Sequence, residues 1–281
     1  MKNDSLIAVI IPFFNRESTL SRAIESVLSQ TDKYFVLYLV DDASTDGSLE
    51  LARSYQTRFP DKVRLLKNDQ NRGVSFSRNS VLKQLDYDWF ALLDSDDEWL
   101  PKKLEQQRAS LMAEKLKVCH TEEIWIRNGV RVNPHKKHQK RGGRIFEDCL
   151  EMCKMSPSSI LFHKSLLEKH GFFREDFPVC EDYDLWLKFC STDSVVFLEE
   201  ALIKKYGGHE DQLSTKFHSM DIYRIQSLVD LSNSEDISDI ERKKLLDQLK
   251  KKLKILQKGA VKHQNQYALG LVEKYIRFVS D

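Results

Sequence analysis

Along the first hundred residues, unbroken apolar runs alternate with segments whose apolar positions recur every three to four residues. Ile7 to Ile11 and Val36 to Val40 are runs bounded by turn formers, the pattern of strands buried on both faces. Ser18 to Leu28 and Ser48 to Phe59 follow them with helical spacing. Val63 to Leu66, a helix from Val74 to about Leu85, the run Trp89 to Leu93, and a helix opening at Pro101 continue the series. Strand-helix alternation of this kind predicts βαβ units, and so a mainly parallel central sheet flanked by helices.

The rhythm changes after about residue 115. Shorter strand candidates lie around Val118, Trp125 and Val130, followed by a basic stretch from His135 to Arg144 that contains Gly142 and Gly143. Lys136, Lys137, Lys140 and Arg141 could meet a phosphate, but such runs are usually solvated loops, which is the favoured reading here. From Lys216 the pattern is helical only, with a break at Asn233 to Asp236 and a capping box formed by Ser238 and Glu241. Leu246, Leu249, Leu253 and Leu256 make one apolar stripe; Leu271, Val272, Tyr275, Ile276 and Val279 make another. Packing of these stripes on the main domain is expected, with membrane adsorption through Lys250, Lys251, Lys252 and Lys254 as the alternative. The chain thus divides into 1–115, 116–215 and a helical appendage over 216–281.

Composition removes several classes. Lys+Arg 44 against Asp+Glu 43 leaves a net charge of +1, which offers no global field for nucleic acid. Five scattered cysteines suit a reducing compartment, and Cys149 and Cys153, spaced for one helix face, read as structural thiols because no second pair follows at zinc-site spacing. The apolar stretch from Leu6 to Phe14 is broken by Pro12 and is too short for a membrane span or signal sequence, so a cytoplasmic protein is expected.

In open α/β sheets ligands gather beyond the carboxyl ends of the strands, so acids placed there carry weight. Asp41 and Asp42 end one run; Asp94, Asp96 and Asp97 end another. With one residue between them in an extended segment, Asp94 and Asp96 would point the same way, and a hard cation would relieve their repulsion. The competing reading is an acidic turn before the helix at Pro101.

Four segments in order decide between these readings: Val9-Ile-Ile-Pro-Phe-Phe-Asn15, Val40-Asp-Asp-Ala-Ser-Thr-Asp46, Asn71-Arg-Gly73 through Arg78-Asn79, and Leu93-Asp-Ser-Asp-Asp97. Together they resemble family 2 glycosyltransferases of the GT-A fold, inverting and non-processive, over residues 6 to about 215. The resemblance implies a Rossmann-like nucleotide-binding first half. Pro12, Phe13, Asp42, Arg78, Asp94 and Ser95 would then bind the donor, with Asp42 accepting from the base. Asp96 would ligate Mn²⁺ or Mg²⁺, joined by His209 from a loop, Tyr206 to Ser214, that closes over the donor. Asp182, in Cys180-Glu-Asp-Tyr-Asp-Leu-Trp-Leu187, occupies the position of the catalytic base, with Glu181, Asp184 and Trp186 in acceptor or supporting roles. Ser156-Pro-Ser-Ser159 is similar to a segment near the sugar.

The implied activity is transfer of a sugar from a nucleotide-sugar, by default a UDP-sugar, to a carbohydrate or lipid-linked acceptor in bacterial-type surface polysaccharide assembly. Peripheral membrane association is compatible with such an acceptor. Two other classes are weighed: a nucleotide-sugar-binding protein without turnover, against which Asp96 and Asp182 argue, and a nucleotidyltransferase or dinucleotide enzyme, which wants a glycine-rich loop that Pro12-Phe-Phe-Asn15 does not offer.

Overall fold

In the computed structural model, residues 5–83, 87–133, 135, 138–208 and 220–279 are described. The first half runs β1 (Ile7–Phe13), α1 (Leu20–Leu28), β2 (Phe35–Asp41), α2 (Ser48–Arg58), β3 (Val63–Lys67), α3 (Val74–Leu82) and β4 (Trp89–Leu92). Strands β3, β2, β1 and β4 lie side by side, all parallel, as the alternation predicts.

Every residue of β1 and β2 is buried, because helices cover both sheet faces. The period of two distributes β1 between two cores. Ile7, Val9 and Ile11 join Leu20, Ile24 and Val27 of α1 on one side. Ala8 and Ile10 join Val81 and Leu82 of α3 on the other.

The second half extends the same sheet with β5 (Glu98–Trp99), α4 (Lys103–Glu114), β6 (Val118–Arg127), β7 (Val130–Val132), α5 (Phe146–Glu151), β8 (Leu161–His163), α6 (Ser165–His170), α7 (Glu181–Thr192) and β9 (Val196–Gly207). Antiparallel pairs enter here: β4 with β8, β8 with β6, and β9 with β5. The candidates around Val118 and Trp125 are one ten-residue strand, and Val130 begins its hairpin partner. Because β4 pairs with β8, the two halves share one sheet, and the carboxyl end of β4 faces both.

The basic stretch meets the solvated-loop expectation at Arg141, which is exposed, and departs from it at Lys140. Lys140 is buried in an ion pair with Glu123, 2.9 Å away, and Gly143 bridges to Val195. Lys136 and Lys137 lie outside the described residues. Cys153 also differs: α5 ends at Glu151, so Cys149 and Cys153 do not share a helix face.

The chain ends in α8 (Asp221–Ser232), α9 (Asp239–Lys262) and α10 (Gln266–Phe278). The capping box forms as read: Ser238 Oγ accepts from the Glu241 amide, and the Glu241 carboxylate accepts from the Ser238 amide. Leu245, Leu249, Leu253 and Leu256 enter the same core as Ile10 and Val81, so the appendage packs on the domain. Lys252, counted with the lysine face in the sequence, points inward instead. Its ammonium donates to the Glu151 carbonyl at 2.9 Å and to Asp221 at 3.2 Å.

Candidate active site

The floor is made by the loops that leave β1 and β2. Pro12 pairs with Val40 and Phe13 with Asp41 at the strand ends. Asn15 and Ala43 then take left-handed conformations, φ 52° and 63°, which turn both loops over the sheet edge. The loops are laced together: the Asn15 amide donates to Ser44 Oγ at 3.0 Å, the Thr45 amide to Asn15 Oδ1 at 2.8 Å, and the Arg16 amide to Ser48 Oγ at 2.7 Å.

Asp42 is tied into this frame. Its carboxylate accepts from Asn68 Nδ2 at 2.8 Å and from the amides of Arg72 and Gly73 at 2.9 and 2.8 Å, and so fixes the loop leading into α3. Gly73 at φ 88° supplies the turn that presents those amides.

Beyond β4 the acidic segment is a turn and not the extended run expected from the sequence: the Asp97 amide donates to the Asp94 carbonyl at 3.0 Å. Asp97 is consumed by structure, accepting from Ser158 Oγ at 2.6 Å, the Tyr206 amide at 3.0 Å and Lys205 Nζ at 3.1 Å. Ser95, inside this turn, is buried. Although burial opposes its charge, Lys205 is held firmly protonated by Asp97, Asp94, Glu123 and Asp96.

Asp96 lies under tension. Burial first, and then the charge of Asp94, push its carboxyl above the usual range, against the pull of Lys205 and Arg16. Both pressures would be relieved by a divalent cation with oxygen preference. Among the described residues no group of three acids, histidines or cysteines is gathered for a metal, so the fit rests on Asp96 together with ligand oxygens. His209 lies outside the described residues.

Arg78 joins the two halves. From α3 it reaches Asp94 with one terminal nitrogen, 2.9 Å, and Glu181 with the other, 2.8 Å, while 2% of its side chain is exposed. Burial and the neighbouring Asp182 push the Glu181 carboxyl up to about 7, with Arg78 pulling the other way. The guanidinium fork suits this double duty; a lysine could serve one acid at a time.

Helix α7 starts from Cys180, held at φ 64°, which turns the chain so that Glu181 and Asp182 come into the first turn near Arg78. Asp182 is half-buried. One oxygen accepts from the Tyr183 amide at 2.7 Å, and the other lies 3.5 Å from the Cys153 thiol.

The remaining two residues assigned to acceptor or support are inside the protein. Asp184 is ion-paired with Lys188 at 2.6 Å, one turn along. Trp186 is 1% exposed and packs against Phe162, Phe173 and Phe189, so support is the role left to it. The two positions lie on opposite sides of α7, which is buried nearly all round, so burial of both follows from the packing of the whole helix. Lys205 and Cys153 escape sequence reasoning, because a lone lysine in a strand and a thiol beyond a helix end show no pattern.

Residues 8–171 match the description of Glycosyl transferase family 2. The UDP-Glc:alpha-D-GlcNAc-diphosphoundecaprenol beta-1,3-glucosyltransferase WfgD of Escherichia coli is 30% identical over 194 residues, 69% of this chain and 73% of WfgD. Among solved structures, Staphylococcus aureus TarS 1–349 in complex with UDP-GlcNAc superposes with a TM-score of 0.74 at 19% identity, covering 92% of this chain and 76% of that one. The mannosyltransferase PcManGT of Pyrobaculum calidifontis, in complex with GDP-Man and Mn²⁺, gives 0.65 at 15% identity, covering 98% and 80%. With a GT-A sheet and a family match spanning more than half its length, this chain belongs to glycosyltransferase family 2.

Proposed function

We propose that the protein transfers a sugar from a UDP-sugar to a hydroxyl of a lipid-linked acceptor, with inversion at the anomeric carbon. The observation that carries the reading is the Arg78 bridge, which joins Asp94 at the end of β4 to Glu181 beside Asp182. A donor diphosphate near Asp94 would place its sugar toward the acid that must take the acceptor's proton. Asp182 removes that proton as the hydroxyl oxygen bonds to the anomeric carbon and the bond to the diphosphate oxygen breaks on the opposite face. Pro12, Phe13 and the Asp42-anchored loop flank the nucleotide, and Ser95 backs the turn beneath the diphosphate. Asp96 would hold a Mn²⁺ or Mg²⁺ ion, whose chemistry is to neutralise the departing diphosphate. The activity in WfgD's name supports the donor and acceptor classes, and the PcManGT complex supports the metal.

Calorimetry checks the donor site. UDP should bind in the presence of Mn²⁺ and lose at least about tenfold in affinity, roughly 1.4 kcal/mol, with EDTA or in Asp96→Ala. Equal affinity in all three would remove the metal from the reading. A transfer assay with UDP-glucose or UDP-GlcNAc and a polyprenyl-diphosphate-linked sugar then tests the reaction.

A lipid-linked acceptor requires contact with a membrane, yet no helix of the described residues is long and apolar enough to cross one. The outer face of α9 supplies a surface fit for contact. Lys243, Lys250, Lys251, Lys254, Lys258 and Lys262 are exposed along it, with Ile255 and Val261 exposed among them. Lysines near an anionic bilayer contribute about 1 kcal/mol each. The protein should therefore sediment with vesicles containing 30% phosphatidylglycerol at low salt and release from them in high salt; four Lys→Gln changes on this face should abolish sedimentation. Equal binding to neutral phosphatidylcholine vesicles would contradict the electrostatic reading.

A further inference from the structure

We propose that Cys153 is a positioning residue for Asp182, its thiol fixing one oxygen of the carboxylate while leaving that carboxylate basic. The inference rests on the reading of Asp182 as the general base.

After α5 the chain takes an extended step at Met152, which brings Cys153 back against the start of α7. The Cys153 sulfur lies 3.5 Å from Asp182 Oδ2 and 3.0 Å from the Met155 carbonyl oxygen. The other carboxylate oxygen, Oδ1, accepts from the Tyr183 amide at 2.7 Å, within the same helix. The single thiol proton is shared between Met155 O, the nearer acceptor, and Asp182 Oδ2, so the carboxylate is held by one backbone donor on its own helix and, through this three-centre contact, by one side chain from a different segment. The second ties the rotation of the group to the segment that follows α5.

The choice of sulfur has a chemical consequence. A hydrogen bond to the charged form of an acid lowers its pKa, and a strong donor would weaken the base it orients. A thiol is a weak donor, and so it costs little basicity. Burial first, and then the charges of Asp182 and Cys149, raise the Cys153 thiol well above its ordinary range. It therefore stays protonated at working pH and presents no second negative charge to the base. The same segment continues to Ser156, whose hydroxyl donates to Glu123, so the strand of chain that carries the thiol is pinned at its far end.

The interaction is reciprocal, which permits a test independent of turnover. Carboxyl ¹³C NMR, with the Asp182 resonance identified by its loss in Asp182→Asn, reads the titration of the base directly. Cys153→Ala should raise the midpoint slightly, by about a few tenths of a unit. Cys153→Ser keeps a donor, and a stronger one, so its midpoint should fall below the wild-type value. In the other direction, Asp182→Asn removes a charge that raises the thiol, so Cys153 should react several-fold faster with iodoacetamide at pH 8.5, followed site by site by mass spectrometry. In transfer assays Cys153→Ala should lose roughly tenfold in kcat with the donor KM unchanged, and Cys153→Ser should recover most of it. Titration midpoints that coincide in all three proteins, with unaltered thiol reactivity in Asp182→Asn, would overturn the inference. Should Cys153→Ala fold poorly, the Cys153→Ser midpoint and the Asp182→Asn alkylation rate still decide it. Full turnover by Asp182→Asn would instead remove the base assignment, a separate failure from that of the thiol.

Discussion

Arg78→Ala should give the largest loss of stability of any single change in the site, together with loss of donor binding. The substitution leaves Glu181, with 9% of its side chain exposed, and Asp94, with 26%, facing each other without their shared cation. Removing one partner of a buried ion pair typically costs about 3–5 kcal/mol, because the remaining charge stays out of water. Glu181 can escape part of this by protonation, since burial and Asp182 already raise its pKa to about 7. The loss should accordingly be smaller at pH 6 than at pH 8, and adding Glu181→Gln should restore part of it. Arg78→Lys should recover little, as one ammonium cannot span both acids with the geometry of the guanidinium fork. Urea titrations of the four proteins at two pH values check this. A loss below about 1 kcal/mol, or one independent of pH, would mean that the bridge is not carrying the junction.

Asp182→Asn should behave in the opposite way, with stability and donor affinity near wild type and turnover lower by roughly a hundred- to ten-thousandfold. The carboxamide keeps the shape and can still accept from the Tyr183 amide, so α7 should start as before. It cannot take a proton. The effect should therefore fall on kcat and not on the donor KM. A matched loss of UDP affinity would instead place Asp182 in the donor site. The contrast with Arg78 is the useful result, because the two side chains lie near one another and should fail by different routes.

How much of this could be read before the structure depended on the distance over which each residue acts. The runs Ile7 to Ile11 and Val36 to Val40 declare two-sided burial by composition alone, and the cap at Ser238 declares a helix start through a neighbour three residues away. Asp94 and Asp96 drew notice as candidates because acids at a strand end stand out against an apolar background, and Asp182 because its segment resembles one in the family. Contacts between distant positions left no such trace. Arg78 and Glu181 are separated by 103 residues, and Lys205 and Asp97 by 108. Lys140 looked like one charge of a solvated basic run, yet its partner Glu123 sits in a strand whose pairing sets the ion pair. Trp186 and Asp184 were grouped near the acceptor or its support by nearness in the chain, and both are buried because α7 is enclosed nearly all round. Asp42 was assigned to the base from the resemblance, and its carboxylate also accepts from three of the protein's own donors, contacts that no sequence pattern announces.

The central claim is that an acceptor hydroxyl, deprotonated by Asp182, attacks the donor sugar from the side opposite the diphosphate. The configuration of the product tests it most directly. Proton NMR of the first-formed product, from a UDP-sugar of α configuration and a polyprenyl-diphosphate-linked acceptor, should show the large anomeric coupling of a β linkage in gluco-configured sugars. An α-linked first product would contradict the account, since retention cannot arise from a single displacement with Asp182 as base.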